Sequence, residues 1–289
     1  MRAIANYLRT ASAALRMLIA LTIITGVVYP LAITAIAQIP GLKARADGSL
    51  VKQHGKVVGS GILGQSFTDA KGNPLVQYFQ SRPSAAGAGY DPTASGASNL
   101  GPESIIDRAG RPSLLTQVCA RSLAVGRLEG VSGARPFCTP DGVGAVLAVF
   151  WSGPGYHGHV TRVVSVNQAC PTVPFLATYR GVRVACAQPG QDYAKGQIVP
   201  IRGDAPSHPA VPADAVTASG SGLDPEISPA YARLQEARVA KARGITRAQV
   251  AALVDEYEKG RDLGVLGEAR VNVLRLNLAL DAKYPYRGK

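Results

Sequence analysis

From Met17 to Ile39 the chain reads MLIALTIITGVVYPLAITAIAQI, a run of 23 residues without Asp, Glu, Lys, Arg or His. As a helix rising about 1.5 Å per residue, this run would reach roughly 34 Å, enough to cross a hydrocarbon core of about 30 Å. No other stretch is comparably apolar, so the chain is expected to be tethered at its front end. Arg2, Arg9 and Arg16 precede the run, and the first acid is Asp47. Short basic flanks stay in the cytoplasm and long following domains are translocated largely regardless of charge. Residues 1–16 are therefore expected in the cytoplasm, 17–39 in the membrane, and everything to Lys289 outside. The rival is a cleavable signal peptide, for which Ala35-Ile36-Ala37 has the A-x-A form. The run exceeds the apolar core of such a signal, about 7–15 residues, which favours a retained anchor. Pro30 removes one backbone hydrogen bond and predicts a kink near Val27. Carbonyls freed in lipid need partners, and Gly26 with Thr25 offers a small-residue face, so Gly26 and Pro30 are candidates for packing against another helix.

The remaining 250 or so residues suffice for one large domain or two small ones. A hydrophobic content of 46% indicates a packed core, and 32 Gly with 20 Pro indicate many turns. Of the net charge of +12, the first sixteen residues carry +3. The remaining Lys and Arg are dispersed and aromatics make up only 6%, which argues against nucleic acid and for anionic lipid or an acidic partner surface. The cysteines, Cys119, Cys138, Cys170 and Cys186, contain no C-x-x-C pair, so zinc has no spacing support. An even number in a segment expected outside the cytoplasm suggests two disulfides. Neighbour pairing, Cys119–Cys138 and Cys170–Cys186, is the simplest of three connectivities; bridges from the first two cysteines to the last two stay open.

Residues 49–64 predict a β-hairpin turning at His54-Gly55. The segment 77–102, QYFQSRPSAAGAGYDPTASGASNLGP, has a linker's composition, yet Tyr78, Phe79 and Tyr90 give it side chains to bury, which suits an ordered loop. Ser113 caps a predicted helix over 113–128. From Gly142 to Ile201, runs rich in Val, Phe and Tyr between Gly and Pro predict several strands. His157-Gly158-His159 lacks a third ligand and reads as a polar turn. Ser228-Pro229 opens a helix that stops at Gly244. Thr246 and Gln249 form a capping box for a second helix ending at Gly260. VNVLRLNLAL, from Val271, fits a strand by alternation or a helix capped by Asn272, with Leu and Ala favouring helix.

No G-x-x-x-x-G-K-[ST], D-K-T-G-T, H-E-x-x-H or G-x-S-x-G sequence occurs. The nearest thing to a site is VTASGSGLDPEISP, 216–229. Its glycines and hydroxyls, Thr217, Ser219, Gly220, Ser221 and Gly222, followed by Leu223, Asp224 and Pro225, would suit an anion-holding turn. Without a Lys, an interface or fold-setting loop is the better reading.

Taken together, the motifs resemble the C-subunit family of the Kdp potassium-transporting ATPase (KdpC). They are LTIITGVVYPLAITAIAQ, GSLV, VVGSGILGQSF, YFQSRPSAAGAGYDPTASGASNLGP, VPADAVTASGSGLDPEISPAYA, VAKARG and GRDLGVLGEARVNVLRLNLALD, in the family's order. The resemblance covers the anchor and most of 48–102 and 211–282. It implies a non-catalytic accessory subunit of a potassium importer in the cell inner membrane. Its partners would be a channel-like potassium-binding subunit, a P-type ATPase subunit and a small membrane subunit, besides membrane lipid. ATP and potassium would be handled by the complex, with no cofactor held firmly by this chain. The family is described as a catalytic chaperone raising the ATP affinity of the P-type subunit. A domain outside the cytoplasm cannot touch ATP directly, so such an effect would travel through the membrane helix or the channel-like subunit. The alternatives are a nucleotide-binding subunit using the 216–229 loop and an independent anchored hydrolase. The expected fold is α+β: one N-terminal transmembrane helix, then an extracytoplasmic mixed α/β domain (40–110 and 210–289) interrupted by a cysteine-containing β-rich insert, 111–209. Family members are usually much shorter between SNLGP and VPAD, so the resemblance says nothing about that insert.

Overall fold

A computed structural model describes residues 2–96 and 104–288. The end of the SNLGP-containing motif (97–103) and Lys289, expected outside the cytoplasm, lie beyond the described residues. The chain forms two compact units, divided between Ile62 and Leu63.

The first unit begins with α1 (Arg2–Ile23), continues through a π-helical turn (Ile24–Val28) and ends in α2 (Tyr29–Ala37). Together they make a 36-residue helix, and among the described residues it alone is long and apolar enough to cross a membrane. The kink expected near Val27 ahead of Pro30 takes the form of a wider turn. The Tyr29 N–H bonds to the Ile24 carbonyl, five residues back, and helical dihedrals persist on both sides. A π-turn ahead of a proline accommodates the missing donor without ending the helix. Thr25 and Thr34 donate their hydroxyls to the carbonyls of Leu21 and Pro30, at 2.7 and 2.8 Å. After a single-turn α3 (Lys43–Ala46), β1 (Leu50–Gln53) and β2 (Lys56–Ser60) form the expected hairpin. His54 and Gly55 both have positive φ, as a two-residue primed turn requires. Residues 40–62, read from sequence as part of the globular domain, thus belong to the anchor's unit.

The second unit has a helical part and a β-rich part. In the helical part, α5 (Pro229–Arg243) and α6 (Arg247–Tyr257) start and stop on local signals. Ser228 Oγ accepts from the Tyr231 N–H, Gly244 closes α5 at φ +68°, and the Thr246–Gln249 capping box is complete. The sequence reading carried the second helix to Gly260, but it ends at Tyr257. Glu258–Lys259 instead forms β9, paired with β10 (Arg270–Asn272), which also pairs with β8 (Glu226–Ile227). Ladder bonds supplied by distant strands override the helix preference of Glu and Lys. The last apolar stretch is both of its alternatives in succession: β10, then α7 (Val273–Lys283), whose N-cap is the Asn272 side chain. Leu276 and Leu280, one turn apart, are fully buried with Val250, Leu253 and Val254 of α6 and Val239 of α5.

The β-rich part is a five-stranded sheet in the order β5 (Thr178–Tyr179), β6 (Val182–Ala187), β4 (Val160–Ala169), β3 (Val146–Trp151), β7 (Gln197–Pro200). Only β4 and β6 run parallel. An apolar run such as AVLAVFW suits a central strand covered on both faces, and β3 is one. Val146 and Ala148 pack with Val164 and Tyr193; Leu147 and Val149 pack with Val163 and Val184 on the other face. The helix α4 (Leu114–Glu129) joins the two parts, with Leu115 against the sheet and Val118 and Val125 against the helical core.

One irregular segment, 76–82, leaves a turn at 75–78 and lies between these elements outside any strand, and side chains bond its backbone. Asn277 of α7 accepts from the Phe79 N–H and donates to the Phe79 carbonyl, both at 2.9 Å. Gln235 of α5 does the same for Gln80, at 2.7 and 3.1 Å. Arg238 donates to the carbonyls of Val76 and Tyr78, and Arg243 to that of Gln77. Phe79 itself is 0% exposed. Asn277→Leu keeps the number and branching of side-chain heavy atoms but leaves two buried backbone groups unsatisfied, at about 1–3 kcal/mol each. Chemical denaturation of the full-length protein in detergent is expected to show a loss of roughly 2–6 kcal/mol on that basis.

Candidate interface site

The segment held at 76–82 delivers Arg82 to the glycine-rich loop singled out in the sequence. Arg82 donates to the Asp224 carboxylate at 2.9 Å and to the Thr217 carbonyl at 3.3 Å. Ser84 Oγ donates to the Gly222 carbonyl at 2.7 Å and accepts from the N–H groups of Ala86 and Tyr90. The Gly64 N–H donates to the Leu223 carbonyl, and the Tyr90 hydroxyl to the Arg82 carbonyl. Ser95 Oγ reaches the Ser221 carbonyl. The two loops, 63–95 and 214–228, are thus interlocked.

Close packing fixes their sequences. Gly222 has φ +71°, and a Cβ there would lie 2.8 Å from the Ala86 backbone nitrogen. At Gly64 a Cβ would lie 2.6 Å from the Asp224 carbonyl oxygen. Gly220, by contrast, faces open space. The hydroxyls that suggested an anion cradle serve the loop itself. Ser219 accepts from the Gly222 N–H, Ser221 from the Leu223 N–H, and Thr217 donates to the Ala213 carbonyl. Asp224 accepts from the Glu226 N–H, while Asp214 holds both N–H and hydroxyl of Ser228 at the start of α5. Pro225 accepts at its carbonyl from the Val273 N–H, tying the loop to α7.

Burial pushes the Tyr90 phenol above its ordinary value, with the Asp224 charge adding to the rise, so it stays a neutral donor. Tyr231, beneath the loop, is pushed up further, first by burial and then by Glu129. Glu129, at the end of α4, is pushed up by burial against the pull of Arg238, whose Nε lies 2.9 Å away. A shallow cleft of about 700 Å³ opens beside that pair, lined in part by Arg127, Lys241, Arg243 and Arg287.

The other sequence candidates are spread widely. Gly26 and Pro30 lie in the anchor, far along the chain from the loop. The cysteines form Cys119–Cys138 and Cys170–Cys186, with Cα separations of 5.4 and 5.1 Å. The first ties α4 to the loop before β3, the second the residue just after β4 to β6. Loops of that length are worth about 3 kcal/mol each by chain entropy. His157 and His159 occupy a turn whose backbone bonds back to Gly153 and Ser152, and no metal-holding group occurs among the described residues. Sequence reasoning assigned no role to Arg82, Ser84 or Asp214. An Arg in a Pro-, Gly- and Ser-rich stretch was the available signal, but its partner is 142 positions away.

The family model described as "K+-transporting ATPase, c chain" matches residues 11–128 and 187–282, taking in the anchor, the clamped segment and the interlocked loop. The chain belongs to the KdpC family. Among proteins named potassium-transporting ATPase KdpC subunit, that of Rhodospirillum rubrum is 37% identical over 278 residues, covering 96% of this chain and 98% of its own. That of Kineococcus radiotolerans is 40% identical over 283 residues, covering 98% of each. That of Gemmatimonas aurantiaca is 40% identical over 270 residues, covering 93% of this chain and 90% of its own. The KdpC model leaves 129–186 unmatched, a narrower segment than the 111–209 read from sequence: β7 and all of α4 but its last residue, Glu129, fall within the match.

The geometry of the KdpC loop predicts opposite outcomes at neighbouring glycines. Gly222→Ala adds left-handed strain and a clash with backbone, and is expected to destabilise the full-length protein by about 2–4 kcal/mol. Gly220→Ala should change stability by less than about 0.5 kcal/mol. Thermal unfolding of the two variants side by side measures the difference.

Proposed function

We propose that this chain is an accessory, non-catalytic subunit of an ATP-driven potassium import complex in the cell inner membrane. In this reading it supports assembly and regulation of a channel-like potassium-binding subunit and a P-type ATPase subunit, with a small membrane subunit as a further neighbour. The observation that carries the reading is a family match spanning both the anchor and the folded unit. Arg2, Arg9 and Arg16 ahead of an uncharged span favour a cytoplasmic N-terminus and an extracytoplasmic main domain. Two disulfides suit that compartment. ATP and potassium are then handled by the partners. Any effect on ATP affinity passes through the membrane helix or the channel-like subunit, as a coupling free energy between distant sites.

The nucleotide-binding alternative would use the 216–229 loop. It is disfavoured because the N–H groups of Gly222, Leu223 and Glu226 already donate within the protein. The Asp224 carboxylate is held by Arg82. Full-length protein in detergent is therefore expected to bind no ATP at millimolar concentration; binding that Ser221→Ala with Asp224→Ala removes would establish the alternative.

The assembly reading is tested by purifying the tagged chain from membranes and identifying what comes with it. Gly26 leaves open space along the anchor, and a Cβ there would meet nothing of this chain within 4 Å. A partner helix packed there would be displaced by a large side chain. Gly26→Leu is expected to lower recovery of the partner subunits while membrane insertion is retained; unchanged recovery would reject docking at that face.

A further inference from the structure

Between β9 and β10 the chain makes a loop, 260–269, that holds three large aliphatic side chains out of the fold. Leu263 is 89% exposed, Val265 73% and Leu266 57%. The loop is built rather than slack. Asp262 and Leu266 exchange backbone hydrogen bonds of 2.8 and 2.9 Å. Arg261 pairs with Glu268 at 2.7 Å. Arg270 pairs with Asp262 at 3.1 Å and with Glu226 of β8 at 3.2 Å, and donates to the carbonyls of Gly260 and Glu268. Leu263 sits at φ +53°. That left-handed conformation is disfavoured for a leucine, and glycine or asparagine would adopt it more readily. Strain at an exposed apolar residue, held by a rigid frame, stabilises nothing within this chain, and such features concentrate at binding sites.

We propose that Leu263, Val265 and Leu266 form an apolar plug that inserts into a preformed apolar pocket with an uncharged rim on a neighbouring subunit of the complex. The proposal rests on the subunit reading above and adds the contact surface. Charge selects the occupant. Arg261, Asp262, Glu268 and Arg270 sum to zero and are all paired, which leaves Lys259 at the base of the loop, a single cation where anionic headgroups are drawn by clusters of about 4–8. The tip also carries no Trp or Tyr of the kind that anchors at a membrane interface. Area argues against a second copy of this chain. Three side chains at these exposures offer on the order of 400 Å², against roughly 800 Å² per partner in a stable interface. A partner already held by other contacts needs no more than that, because the second contact is then intramolecular in effect.

The test uses the full complex in native membranes. A photo-crosslinking benzophenone residue at Leu263 is expected to give an adduct with another subunit of the complex, identified by mass spectrometry. The double variant Leu263→Asp, Val265→Asp should melt like the wild type, since both side chains are exposed. It should lower recovery of that same subunit by about tenfold, as removal of a buried apolar anchor does. Crosslinks to lipid only, to a second copy of this chain, or to nothing, would each overturn the proposal, as would undiminished recovery with the double variant. If the wild-type chain itself brings down no other subunit, the subunit reading fails and takes this proposal with it; failure of the variant and crosslink tests alone leaves the subunit reading standing.

Discussion

The folded unit depends on a short irregular segment, 76–80, that no strand pairs and that carries Phe79 and Gln80 into the interior. A buried backbone group without a partner costs about 1–3 kcal/mol, and such a segment would carry many of them. The protein solves this with side chains that imitate a neighbouring strand. The amides of Asn277 and Gln235, 2% and 0% exposed, each present one donor and one acceptor to the backbone of one residue. Arg238 and Arg243 cover the carbonyls beside them. Those four side chains come from α5 and α7, so the segment can be ordered only once the helices are packed. Phe79 then enters the helical core, and Arg82 is carried to Asp224.

A further helix, α4, ties this helical part to the β-rich part. Ser122 of α4 donates to the Gly133 carbonyl, and Cβ atoms at Gly126 or Gly133 would come within 2.7 Å of the facing backbone. The Cys119–Cys138 bridge closes the same region. Glu129 pairs with Arg238, both almost wholly buried, and that same Arg238 holds the carbonyls of Val76 and Tyr78. Removing either partner would leave a buried charge uncompensated, which is far costlier than the pair is stabilising. The sheet is therefore joined at its root to the element that orders the clamped segment, although the family's model leaves 129–186 unmatched.

A consequence for function is that the polar groups of the glycine-rich loop are already in use. Arg82, Ser84, Ser219, Ser221 and Asp224 bond one another's backbone or side chains. A loop stabilised in this way offers a fixed shape more than a set of free donors. That is the property expected of a subunit that acts by contact, and it agrees with the accessory role proposed for this KdpC member.

Local signals were legible in the sequence because they involve neighbours. Ser113, Ser228 and the Thr246–Gln249 pair cap the helices they were expected to cap, and Gly244 ends α5 where only a left-handed residue fits. His54-Gly55 made the hairpin readable, and the uncharged run made the long helix readable. Motif order was enough to indicate the family. Tertiary structure alone decided that Glu258–Lys259 leave helix for strand, that 40–62 cluster with the anchor, and that Arg82 meets Asp224. It also decided that Asn277 and Gln235, ordinary polar residues within helices by sequence, stand in for a missing strand. Capping and turn formation depend on residues a few positions apart, whereas these contacts join groups up to 198 positions apart and exist only after the core has packed.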